Sequence, residues 1–249
     1  MTMLQAVLFD LDDTLLGNDL DTFLPRYFAL LGRYAERYMP REQFLQELMI
    51  STQAVIANTD TAVSNRDVFW NAFQQRTGLN PAEMEPFFDV FYAEQFSQLA
   101  AVTTRQPCVP ELLQLCFKRA LKVVIATNPL FPRQAIEQRL AWAGAPVTDY
   151  PYTLVTSYEN MHATKPHLAY YHEILQRIEV EPAAALMVGD DWENDIAPAA
   201  AAGCATYWVP VADDPPPDGA LVTGSGTLSH LYDLLTAGWP DSAVPPSET

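Results

Sequence analysis

Lysine is nearly missing from this chain: Lys118, Lys122 and Lys165 are the only three in 249 residues. Lysine and arginine together number 14 against 31 acidic residues, a formal charge of −17. So few cations cannot neutralise the phosphates of a nucleic acid or the headgroups of an anionic membrane, which excludes both as partners. Cysteine is scarce too. Cys108, Cys116 and Cys204 follow no metal spacing, and their odd number opposes a disulfide framework. They read as small buried hydrophobes in a reduced compartment. His162, His167, His172 and His230 fit no ligand spacing and read as structural or surface residues. No run of 18 apolar residues exists, so no membrane span is expected. The N-terminus has no basic stretch ahead of an apolar core, so a cytoplasmic location is expected. Nothing in the sequence sets an oligomeric state.

What is present fits a globular protein, with 49% hydrophobic and 18% charged residues. The length suits one large domain or two small ones. The apolar run at 6–8 reads as a buried parallel strand, and it runs into Phe9-Asp10-Leu11-Asp12-Asp13-Thr14. A buried strand tolerates no charge without a partner, so acids at its carboxyl end imply a cation, a proton-transfer task, or both. Three further apolar runs end in polar groups. Residues 122–126 lead to Thr127 and Asn128, both able to donate to an anion. Residues 152–156 precede Lys165-Pro166, and residues 185–188 break into Gly189-Asp190-Asp191 with Asp195 beyond. Four such endings on one parallel sheet would form a site.

This order resembles the haloacid dehalogenase superfamily, made up mostly of Mg²⁺-dependent phosphohydrolases. The resemblance covers residues 4–16 and 105–236 and rests on the opening acid pair, Thr127, Lys165-Pro166 and Gly189-Asp190 with Asp195. Asp191 departs from it, standing where relatives often carry Ser or Thr. The resemblance implies an α/β, Rossmann-like core with a parallel five-stranded sheet, and an inserted helical cap over the active site.

The rhythm of the chain fits that layout. Apolar residues at spacings of three and four predict helices over 19–38, 41–50 and 62–76. Asn80-Pro81-Ala82-Glu83 reads as an N-cap, a first-turn proline and a capping-box acid, opening a helix to about residue 99. The aromatic residues of these helices read as a bundle core. Residues 18–100 are therefore assigned to the cap, and 1–17 with 101–238 to the core. Core helices are predicted at 110–120, 132–143, 167–179, 195–202 and 228–236, with a fifth strand at 205–209. Pro215-Pro216-Pro217 marks a loop, and the polar, Pro-rich 239–249 reads as a disordered tail.

The chemistry expected of such a set is phosphate-ester hydrolysis. Asp10 is the candidate nucleophile, forming an aspartyl-phosphate. Asp12, two residues on, would face the same side if the strand stays extended, and would act as general acid and base. The resemblance places Mg²⁺ on the Asp10 carboxylate, the Asp12 backbone carbonyl and the Asp190 carboxylate. It places Asp195 in the outer shell of the metal or beside Lys165, with Asp191 also near. Thr127, Asn128 and Lys165 would hold the phosphoryl group. Asp13 and Thr14 read as turn caps, and Asn128 also as a helix cap. Arg26, Arg33, Arg66 and Arg105 are candidates for substrate contacts. The substrate would be a small phosphorylated metabolite. A phosphomutase, a dehalogenase and a non-catalytic regulatory relative share the fold. An acid at position 12 is pointless for a dehalogenase, and a silent relative commonly loses the nucleophile or a metal ligand.

Overall fold

The apolar runs form strands because each is buried on both faces and bounded by turn residues. In the computed structural model, residues 3–210 and 222–240 are described. Strand β1 spans Ala6–Phe9, β4 Lys122–Ile125, β5 Leu154–Val155, β6 Ala185–Gly189 and β7 Ala205–Trp208. All pair in parallel, in the order β5-β4-β1-β6-β7, and a short strand β8 (Gly224–Ser225) adds a sixth to the five expected. Its two residues carry no apolar run, so sequence pattern did not reveal it.

The chain starts in the middle of the sheet, builds β4 and β5 on one side of β1, then crosses to β6 on the other. A topological switch therefore flanks β1, where open α/β sheets bind ligands beyond the strands' carboxyl ends. Register aligns those ends, with Phe9 opposite both Ile125 and Val188. Helices α5 (Val109–Lys118), α6 (Arg133–Trp142), α7 (Leu168–Ile178), α8 (Ala197–Ala201) and α9 (Leu228–Thr236) cover the two faces. One apolar layer joins α5, α6 and α9 to the sheet, and another joins α7 and α8. Each fully buried side chain, such as Leu8 or Val124, stabilises by roughly 1.5–3 kcal/mol.

Helices α1 (Leu20–Ala35), α2 (Arg41–Ile56), α3 (Asn65–Thr77) and α4 (Pro81–Glu94) form a separate, aromatic-rich bundle. A 3₁₀ segment, Phe96–Val102, follows α4. Asn80 caps α4, accepting from the Ala82 N–H at 3.1 Å. The chain leaves and re-enters the α/β part through an antiparallel ribbon of β2 (Leu16–Gly17) and β3 (Thr104–Arg105). Among the described residues no helix is long and apolar enough to cross a membrane. The expected Pro-rich loop at 215–217 and residues 241–249 of the expected tail lie outside the described residues. Trp239, at the start of that tail, is buried against Tyr207 and belongs to the core.

Candidate active site

Asp10 follows the last residue of β1, and its N–H donates to Val188 O at 2.9 Å, so the sheet itself fixes its backbone. Lys165 Nζ lies 2.6 Å from Asp10 Oδ1 and 2.5 Å from Asp195 Oδ1. The lysine is 3% exposed, Asp10 7% and Asp195 1%, so the three charges are matched within the fold and not by water. Carboxylate oxygens of Asp10, Asp190 and Asp195 all lie within 4.8 Å of one another. Three acids against one cation leave an excess of buried negative charge. Burial, opposed by Lys165 and assisted by the neighbouring acids, raises the Asp10 carboxyl well above its usual range. Burial and the Asp195 charge push Asp190 up to about 7. Burial alone would lower Lys165, but the Asp10 and Asp195 carboxylates outweigh it and keep the ammonium charged.

The donor set fits a small hard cation. Lys165 occupies one oxygen each of Asp10 and Asp195, and Thr14 Oγ1 donates to Asp190 Oδ1 at 3.0 Å. The second oxygens of Asp10 and Asp190 accept no side-chain hydrogen bond among the described residues, which leaves them open to a metal shared between them. Thr14, expected to cap a turn, instead orients this carboxylate. Asp13 does cap the turn, accepting from the Asn18 N–H at 2.8 Å.

Asp195 lies beside Lys165. Two features hold it there. The backbone N–H of Asp191 donates to Asp195 Oδ2 at 3.2 Å. Gly189 leaves room, since a Cβ there would lie 2.2 Å from that oxygen. The Asp191 side chain does not join the carboxylate group. It turns outward and accepts from the N–H groups of Glu193 and Asn194, capping the π-helical turn Trp192–Ile196. Only its backbone serves the site, because a cap must face the free N–H groups of the turn it opens.

The extended strand on which the expected placing of Asp12 depended does not continue. The strand ends at Phe9 and the chain turns through residues 11–13, so the alternation that would align Asp12 with Asp10 is lost. Asn18 Nδ2 donates to Asp12 Oδ1 at 2.7 Å, and Arg139 Nη1 donates to Oδ2. Arg139 comes from α6, is 1% exposed, and lies 4.6 Å from the Phe131 ring centre. Its Nε and Nη2 have no hydrogen-bond partner. None of the four arginines marked in the sequence takes this place. Arg26 and Arg33 are exposed, Arg66 is paired with Glu85, and Arg105 covers Gly144. Arg139 sits in an ordinary helical pattern. No sequence signal distinguishes it beyond its being a charge on a helix that must pack on the sheet.

Thr127 is buried at the end of β4, its carbonyl accepting from Thr156 Oγ1 at 2.7 Å and Tyr170 OH at 2.9 Å. Neighbouring Tyr171 OH donates to Asn194 O. The paired tyrosines of α7, just after Lys165, thus brace two of the site's loops, a role not read from the sequence. Asn128 Oδ1 and Thr164 Oγ1 are buried without a partner beside these residues. Three of the histidines have structural partners: His162 with Glu173, His167 with Ile56 O and His230 with Tyr207.

A buried carboxylate just past a strand end, a buried lysine and a carboxylate cluster thus meet at the switch point of an α/β sheet. Residues 4–203 match the haloacid dehalogenase-like hydrolase family, and the chain belongs to it. It is similar to a phosphoglycolate phosphatase of Haemophilus influenzae, 27% identical over 86% of this chain and 93% of that protein. Among solved structures it is similar to a HAD phosphatase from Thermococcus onnurineus (TM-score 0.57, 20% identity, 93% of this chain and 98% of that one). It is also similar to a 2-haloacid dehalogenase from Pseudomonas syringae pv. Tomato (TM-score 0.60, 22% identity, 95% and 100%).

Proposed function

We propose that this hydrolase is a Mg²⁺-dependent phosphatase, acting on a small phosphorylated metabolite through an aspartyl-phosphate on Asp10. The observation that carries the reading is Lys165, shared between Asp10 and Asp195 with Asp190 alongside. Asp10, Asp190 and the Asp12 carbonyl would hold the metal, which neutralises phosphoryl charge when bound. Lys165 fixes the Asp10 carboxylate and offsets the charge of the phosphoryl oxygens. Thr127 and Asn128 bind those oxygens.

In the first step an Asp10 oxygen forms a bond to phosphorus, the ester P–O bond breaks, and the leaving oxygen takes a proton. In the second, water attacks the same phosphorus, releases inorganic phosphate and restores Asp10. Asp12 accepts an N–H bond on each oxygen, and its carboxylate is the base of the second step. To protonate the leaving group it must first take up a proton, for which each oxygen keeps a second lone pair. An acid at this position supports hydrolysis of an ester over dehalogenation, which needs no leaving-group proton.

On this reading, residues 18–100 are the cap and the remainder is the core, and the protein works in the cytoplasm. The test is turnover of a phosphate-ester panel with Mg²⁺, with EDTA, and with Asp10→Asn. Wild-type turnover should stop with EDTA, and the variant should be inactive with an unchanged circular dichroism spectrum. A trapped phosphoenzyme that survives Asp10→Asn would assign the nucleophile elsewhere. A requirement for a bisphosphate activator would mark a mutase.

A further inference from the structure

A partly open cavity of about 270 Å³ lies between α1–α4 and the loop after β4. Its size is near the lower end of ligand pockets, roughly 300–1,000 Å³. Tyr27, Trp70, Phe73, Phe88, Phe131 and Tyr158 form much of its wall. Its polar groups are largely spent on one another. The hydroxyls of Tyr27 and Tyr92 pair at 2.8 Å, and Thr52 Oγ1 donates to Leu48 O at 2.9 Å. Glu85 takes the Arg66 guanidinium on both oxygens. Gln53 and Asp89 remain, both exposed residues, on α2 and α4. No lysine, arginine or histidine lines the cavity.

These walls reject an anion. A carboxylate placed here would lose water and meet the Asp89 charge, while the Arg66 guanidinium is already spent on Glu85. An aryl or alkyl group would bury its surface at no such cost. The cavity is also joined through the chain to the proposed phosphoryl site. Leu130, Phe131 and Pro132 line it and follow directly on Thr127, Asn128 and Pro129, with the Leu130 N–H on Asn128 O at 2.8 Å. Phe131 also packs on the guanidinium that holds Asp12.

We infer that this cavity receives the organic half of the substrate. The substrate is then a phosphate monoester of an uncharged aryl or alkyl alcohol, not a phosphorylated carboxylic acid. The inference rests on the phosphatase reading and departs from the substrate named for the Haemophilus relative. With the phosphoryl group at Thr127, the rest of the ester extends along 128–132 into the cavity.

The test uses the full chain with Mg²⁺. The kcat/KM for 1-naphthyl phosphate and for hexyl phosphate should each exceed that for 2-phosphoglycolate by about tenfold or more. Thr52→Trp and Met49→Trp fill the cavity from α2, where Met49 is 44% exposed and tolerates a larger side chain. Each should lower the ratio of kcat/KM for naphthyl phosphate to that for acetyl phosphate by about tenfold, with an unchanged thermal melt confirming the fold. Calorimetry of 1-naphthol with the metal-free protein gives a readout without turnover, and Thr52→Trp should abolish that binding. Preference for 2-phosphoglycolate without naphthol binding overturns the cavity assignment and keeps the phosphatase reading. Unchanged ratios in both filled variants overturn it as well. Naphthol binding with no hydrolysis of any ester overturns the phosphatase reading, and with it the ester.

Discussion

Arg139 Nη1 donates to Asp12 Oδ2 from a helix distant in sequence, and the arginine is the more buried of the two, at 1% side-chain exposure against 18%. The guanidinium keeps its charge whatever happens to its partner. Removing Asp12 therefore strands a buried cation that already has two unpaired nitrogens. Asp12→Ala should cost about 3–5 kcal/mol of stability, as for a broken buried pair. Arg139→Met should cost less, since Asp12 keeps Asn18 and contact with water. The double variant Asp12→Ala, Arg139→Met should recover most of the loss. Urea denaturation of the four proteins is the check, and equal costs for the two single variants would mean that the pair is effectively solvated.

The same geometry shapes the kinetic test of Asp12. Asp12→Asn keeps a side-chain oxygen for Asn18 or Arg139 and is the milder probe. Turnover should fall roughly 10²–10⁴-fold. The first step should suffer most for an alkyl ester and least for an aryl ester, whose leaving oxygen hardly needs a proton. Rapid-quench measurement on both esters separates the steps. Equal first-step losses would assign Asp12 to structure.

Asp190 sets a pH dependence for the metal-free protein. Its folded value of about 7 lies above the usual carboxylate range, so the fold favours the protonated form. The stability this group contributes is fully present below about pH 4 and is lost as the pH rises through about 7. At roughly 1.4 kcal/mol per pKa unit, the loss is a few kcal/mol at most. Mg²⁺ on the carboxylates should reverse the trend. Added Mg²⁺ should raise Tm more at pH 8 than at pH 5.5, and an equal rise at both pH values would count against Asp190 as a ligand.

Lys165→Met should leave Asp10 and Asp195 buried without their cation. Both carboxyls already sit above the usual range, burial being the main cause. Without the lysine they rise further, so the penalty should be larger at pH 8 than at pH 5. A cost of about 3–5 kcal/mol at the higher pH is expected. A penalty independent of pH would indicate lost packing and not lost charge pairing.

Gly189→Ala places a methyl group 2.2 Å from Asp195 Oδ2. That oxygen cannot retreat without breaking its bond to the Asp191 N–H, so Lys165 would shift with it. A stability cost of about 1–3 kcal/mol is expected, together with a fall in kcat. Wild-type kcat in this variant would show that Asp195 does not position Lys165.

The sequence by itself determined most of the scaffold and the inner site. Strands buried on both faces must be apolar, so Asp10, Thr127 and Asp190 stood out as polar groups ending apolar runs. Lys165 was legible from its place beyond the third apolar run and from the family resemblance of Lys165-Pro166. Pattern also gave the helical insertion, since its apolar spacing is three and four. The tertiary structure alone decided what each carboxylate faces. Asp12 lost its strand direction where the chain turns at residues 11–13, and Asp191 turned outward to cap a π-helical turn. Thr14 found Asp190, 176 positions away, and Arg139 found Asp12 across 127. Such pairings depend on how helices and loops stack on the sheet. A local pattern records which side of its own element a residue occupies, but not the partner that packing brings to it.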